Sequence, residues 1–154
     1  GLRRMVLNSM GLRMLTLTAF FMLLAGIAAY DCRYRKIPDR FVLLLGIVGA
    51  ASVFIMPETE ISSRLAGIFA ASLALFFTTM LFPGAFGGGD IKLMAAAGLF
   101  LGGEQAARAL LWGIVSGGIY ASVCLLSGRK GRKDRFAFGP FLCIGIVLAY
   151  FWDI

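Results

Sequence analysis

The segment LRMLTLTAFFMLLAGIAAY at 12–30 runs straight into DCRYRKIPDR at 31–40. The first part is apolar over about the 20 residues that a bilayer core requires, which predicts a membrane-spanning helix. The second part reverses that character at once, with Asp31, four basic residues and a helix-stopping Pro38. Arg3 and Arg4 ahead of the apolar part give it the look of a secretory signal. A signal's apolar region is only about 7 to 15 residues, and more apolar runs follow, so the helix is expected to be retained.

Those runs lie at 41–56, 65–82, 91–101, 106–126 and 136–152. With 60% hydrophobic and 15% charged residues over 154 positions, the chain carries far less charge than the roughly 25% of a soluble domain. The expectation is an all-α integral membrane protein with six transmembrane helices, forming one membrane-embedded unit over 1–154. Glycines four apart, Gly98 with Gly102 and Gly113 with Gly117, are expected where helices approach closely.

The net charge of +7 is no sign of nucleic acid, because the basic residues fall in two short runs, 31–40 and 127–135, between apolar stretches. Basic short loops stay in the cytosol. An extracytoplasmic N-terminus places ten Lys and Arg on the cytosolic side against five, Arg64 among them, on the outer side. Anionic lipid headgroups are the expected partners of the two basic runs.

Cys32, Cys124 and Cys143 form no Cys-x-x-Cys and no zinc spacing, so they are expected to be packing residues, with no metal and no cofactor. The chain has no histidine. That excludes Ser-His and Cys-His nucleophiles, His-ligated zinc and His proton shuttles together. Any chemistry must run on other groups, and ionisable residues at membrane depth are the first place to look.

Two acids qualify. Asp31 is 18 residues past Arg13, about 27 Å along a helix in a core about 30 Å thick, so it sits at the cytosolic border. Asp90 is 13 residues before Gly103, about 20 Å, which puts it roughly 10 Å inside the same edge. Asp31 ends an inward helix and Asp90 begins an outward one, so the two can face each other. Carboxylates at that range share a proton, one activating water while the other donates to a carbonyl oxygen. Gly87, Gly88 and Gly89 would admit an extended substrate backbone. The plainer alternative, Gly-Gly-Gly-Asp as a helix cap, stands equally open on spacing alone.

DCRYRKIPDR, GGGDIKLMAAAGLFLG at 87–102 and FAFGPFLCIG at 136–145 together resemble, in order, the three motifs of the type IV prepilin peptidase family. The resemblance implies that Asp31 and Asp90 are the catalytic pair of an aspartic endopeptidase in the bacterial inner membrane, active near the cytosolic face. It also implies that the substrate is a prepilin or pseudopilin precursor cut after a short basic leader. Gly87, Gly89, Lys92, Pro38, Asp39 and Pro140 fall on the same motifs and are expected to support the site or touch substrate. Lys92 is about 200° around the helix from Asp90 and is expected to point to the headgroups rather than to Asp31. The family often has Asn where this chain has Asp39. The chain lacks the paired Cys-x-x-Cys that accompanies N-methylation in larger members, so methyltransferase activity is not expected.

Two rivals have sequence support. Tyr30-Asp31 and Gly-x-Gly-Asp also echo presenilin-like intramembrane proteases, but there the acids lie on consecutive helices and here they stand 59 positions apart with the Ile-Pro segment between. A proton-coupled transporter would use paired membrane acids as well. Against it stand the acids' expected position away from the midplane and the lack of a visible repeat.

Overall fold

The computed structural model describes residues 1–82, 86–128 and 138–151. Among the described residues there are six α-helices and no strand: α1 (Leu2–Tyr34), α2 (Asp39–Ile55), α3 (Ile61–Leu81), α4 (Gly88–Leu101), α5 (Gly103–Leu126) and α6 (Gly139–Phe151). They follow the expected runs in order. Most of the basic run 127–135, and both ends of the run 136–152, lie outside the described residues.

One boundary differs in a way that matters. α1 extends past 12–30 at both ends, so Asp31 lies inside the helix and not after it. Hydropathy marks the part of a helix that suits lipid, whereas backbone hydrogen bonding continues through good helix formers such as Arg33. The helix stops at Arg35, whose φ of 54° is the left-handed conformation, and the Arg35 N–H donates to the Asp31 carbonyl at 2.8 Å. Pro38 then opens α2, its C=O accepting the N–H groups of Phe41 and Val42 at 3.2 and 3.3 Å.

α4 lies at the centre, packed against α2, α3, α5 and α6. Its 14 residues are short for a bilayer core that needs about 20, but its neighbours are protein. That is why Leu93, Met94, Ala97, Phe100 and Leu101 can be apolar around most of its surface. Gly67 of α3 and Gly98 of α4 cross with their backbones in contact, and a Cβ on either would collide with the other. Gly113 and Gly117 of α5 leave room for the side chains of Leu142 and Phe138. These three of the four spaced glycines serve close helix approach as expected. Gly102 instead makes the turn between α4 and α5 at φ 90°, a conformation natural only to glycine.

The core joins Phe20, Leu24 and Ile27 of α1 to Leu45, Leu75, Leu93, Leu142 and Ile146, with Phe20 stacked on Phe100 at 3.9 Å between ring centroids. The outside is apolar too: Leu43, Ile47 and Phe54 of α2, Phe69 and Phe76 of α3, and Ile119 and Val123 of α5 are exposed. α1, α3 and α5 are long and apolar enough to cross a membrane. α2, α4 and α6 are shorter, at 17, 14 and 13 residues.

Candidate active site

Along α1, the residues that reach the interior are Thr16, Phe20, Leu24, Ile27 and Asp31. Their spacing of three and four is one face of a helix, so the acid simply continues the buried stripe. Asp31 is 4% exposed. Its Oδ2 accepts the N–H of Gly139 at 2.8 Å. Gly139 is the first residue of α6, and the N–H groups of a helix's first turn have no partner within the helix. A carboxylate there is bonded by one such N–H and favoured by the positive end of the helix dipole. Pro140, next in α6, has no N–H to leave unpaired, which is why proline suits a first turn.

Gly139 has to be glycine for this contact. A Cβ at that position would collide with the Asp31 carboxylate. Cys143, one turn further along α6, is buried and within Coulombic range of both Asp31 and Asp90.

Asp90 is the third residue of α4 and is 8% exposed. Its Oδ2 accepts the N–H of Gly87 at 3.4 Å, beyond the usual range of about 2.7 to 3.2 Å and so a weak bond. The cap reading and the paired-acid reading are therefore compatible: the side chain bends back toward its own helix end and still faces inward. Asp31 and Asp90, from α1 and α4, lie close enough to interact electrostatically.

Of the glycines before Asp90, one has a packing role in the structure. A Cβ at Gly89 would come within 2.9 Å of the Ile37 Cβ, so Gly89 makes room for the 31–40 segment. Gly88 has open space beside it. Ile37 is buried, and with Pro38 it lays the loop after α1 across the start of α4. Asp39 and Lys92 close the outside of this junction, Nζ to Oδ1 at 3.3 Å, with both side chains mostly exposed. Lys92 does point away from the interior, as the helical angle predicts, but onto Asp39. Phe86 and Phe138 meet at 5.0 Å between ring centroids. All three motif segments thus meet at one end of the bundle.

Reading the sequence missed Gly139, Cys143 and Ile37 as parts of this junction, and it also missed Arg64. Counted above among the outer-side charges, Arg64 is 1% exposed inside α3. A signal was available, since Gly139 and Cys143 share the four-residue spacing of a buried helix face.

Comparison with known proteins bears on the same residues. The family model described as the type IV leader peptidase family matches residues 17–122, which include Asp31 and Asp90 but stop short of Gly139. The chain is similar to a protein named prepilin leader peptidase/N-methyltransferase from Bacillus subtilis (strain 168), 32% identical over 133 residues, covering 86% of this chain and 54% of that protein. Proteins of the same name from Legionella pneumophila, 32% identical with 84% and 47% covered, and Xanthomonas campestris pv. campestris, 28% identical with 92% and 50% covered, match it too. The chain spans about half the length of the curated relatives it matches. No solved structure matches it.

Proposed function

The chain belongs to the type IV leader peptidase family, and we propose that it removes the leader peptide from type IV prepilin or pseudopilin precursors by aspartic catalysis at Asp31 and Asp90. The observation that carries this reading is the pair itself: two buried carboxylates, from helices 59 positions apart in the sequence, within electrostatic reach at one end of the bundle.

In the proposed reaction one carboxylate takes a proton from water as the oxygen attacks the scissile carbonyl, and the other gives its proton to the carbonyl oxygen. On collapse of the tetrahedral intermediate the newly protonated carboxyl gives its proton to the departing amide nitrogen while a gem-diol hydroxyl returns one to the other carboxylate, so the pair again shares one proton. The Gly139 N–H holds one oxygen of Asp31, and the other accepts no bond among the described residues. No histidine or metal enters these steps. The proposal concerns the peptidase step; the relatives' names carry an N-methyltransferase as well, and no residue here is assigned to methyl transfer.

All six helices lie within the inner membrane in this proposal, as a single unit with the N-terminus outside and the acid end toward the cytosol. The exposed apolar side chains of α2 support its embedding. Removing buried Arg64 from the outer charges strengthens the basic bias toward the acid end. At that end Arg33, Arg35, Lys36 and Arg40 are exposed and have no ion pair among the described residues, which suits anionic headgroups.

The test is cleavage of a prepilin by the purified chain in detergent, read as a mobility shift. Asp31→Asn and Asp90→Asn should each abolish it. A cut that persists in either variant removes the paired-acid mechanism.

A further inference from the structure

Arg64 is the most completely bonded ionisable group among the described residues, and the proposed chemistry makes no use of it. Its Nη1 donates to the Ser52 hydroxyl at 2.6 Å and to the carbonyls of Leu99 and Phe100 at 3.2 and 3.5 Å. Its Nη2 donates to the carbonyls of Ser52 and Met56 at 3.2 and 2.7 Å, and its Nε to that of Thr59 at 3.4 Å. Among the described residues no carboxylate is bonded to it. Glu58, the acid whose charge reaches it, is paired with Arg13.

The acceptors are not scattered. Ser52 and Met56 end α2, and Leu99 and Phe100 end α4. The last carbonyls of a helix mostly lack internal partners and carry the negative end of the dipole; that of Ser52 also takes the Met56 N–H. One guanidinium therefore ties the C-termini of two helices, and both of those helices start at the acid junction. α2 starts with Asp39, just after the loop that holds Ile37 against Gly89, and α4 starts two residues before Asp90.

We infer that Arg64 is a remote positioning residue, its carbonyl clamp on the ends of α2 and α4 fixing where Asp90 stands relative to Asp31. This rests on the proposed reading of the pair. Leu99 is nine residues from Asp90, a lever of about 14 Å, so a tilt of about 4° at the clamp moves Asp90 by about 1 Å. A displacement of that size costs about a hundredfold in rate when it misplaces reacting groups. Lysine keeps the charge but has three donors on one nitrogen instead of a planar fork, so it cannot hold both helix ends at once.

The experiment uses the whole chain as wild type, Arg64→Lys and Arg64→Gln, with helical content checked by circular dichroism. One readout needs no activity: in a Cys32→Ala background carrying Asp39→Cys and Lys92→Cys, a short bifunctional maleimide reports how α2 and α4 meet at the acid end. The other is leader cleavage by the variants without those cysteines. We expect Arg64→Lys to fold, to cross-link severalfold less, and to lose about a hundredfold in kcat with KM nearly unchanged and the pH profile altered. Cross-linking and kcat equal to wild type in folded Arg64→Lys would overturn the inference. So would loss of fold in both variants, which would make Arg64 a requirement of the bundle and not a setter of the site. Arg64-dependent cross-linking in a chain that cleaves no leader would instead sink the proposed function and leave the clamp standing.

Discussion

The two ends of α4 meet opposite charges, and they satisfy them to different degrees. At its start the carboxylates of Asp90 and Asp31 lie against the N-termini of α4 and α6, where backbone N–H groups point outward. At its finish the guanidinium of Arg64 lies against the C-termini of α2 and α4, where carbonyls do. The arginine's five N–H groups meet six acceptors, which fills its capacity. Each carboxylate, able to accept about four bonds, receives one among the described residues. A buried ion with its bonding saturated belongs to the architecture. One with capacity to spare can still accept from water, and the protonated member of the pair can donate to a peptide carbonyl.

The contrast breaks most visibly if the acids turn out to hold the fold together. Asp31→Asn and Asp90→Asn should each lower cleavage by about a thousandfold or more while leaving the thermal midpoint unchanged or raised, because reactive arrangements are held at some cost in stability. A large fall in Tm with activity retained would reverse the roles of the two ends. Arg64→Met should differ from the acid variants in lowering stability as well as cleavage, since it strips several carbonyls of their donor at a cost of about 3 kcal/mol, measured by thermal unfolding in detergent.

Smaller effects sharpen the picture within the acid end. Gly139→Ala should reduce cleavage by about a hundredfold, since its Cβ displaces the Asp31 carboxylate; activity within twofold of wild type would mean that Asp31 reaches its working position without that N–H. Arg35→Gly should raise stability by about 1 kcal/mol by removing a side chain from a left-handed position, with cleavage in neutral lipid unchanged. Smallest is Lys92→Gln, which breaks an exposed pair with Asp39 and should cost less than about 1 kcal/mol.

The helical class, the number and order of helices and the two acids were legible because each depends on local pattern. Apolar runs of set length, Pro38 and the acid ending a run of apolar residues can all be read within one or two turns. The stripe Phe20, Leu24, Ile27, Asp31 even shows which side of α1 the acid shares. Arg64 misled for the same reason. Near the start of a helix, after PETEISS, an arginine reads as a flanking charge, and nothing within a few residues says that carbonyls 35 and 36 positions away will surround it.

Sequence alone, then, determined that this chain is built of apolar helices, that its chemistry cannot use histidine, and that Asp31 and Asp90 are the acids to watch. Those are properties of composition and of spacing along one helix. Only the tertiary structure decided what each acid rests on, that Gly139 leaves room for the Asp31 carboxylate, that Gly89 packs on Ile37, and that Arg64 binds two helix ends. Each of these depends on which backbone groups are left unbonded where separate helices meet, and that is set by packing across tens of residues.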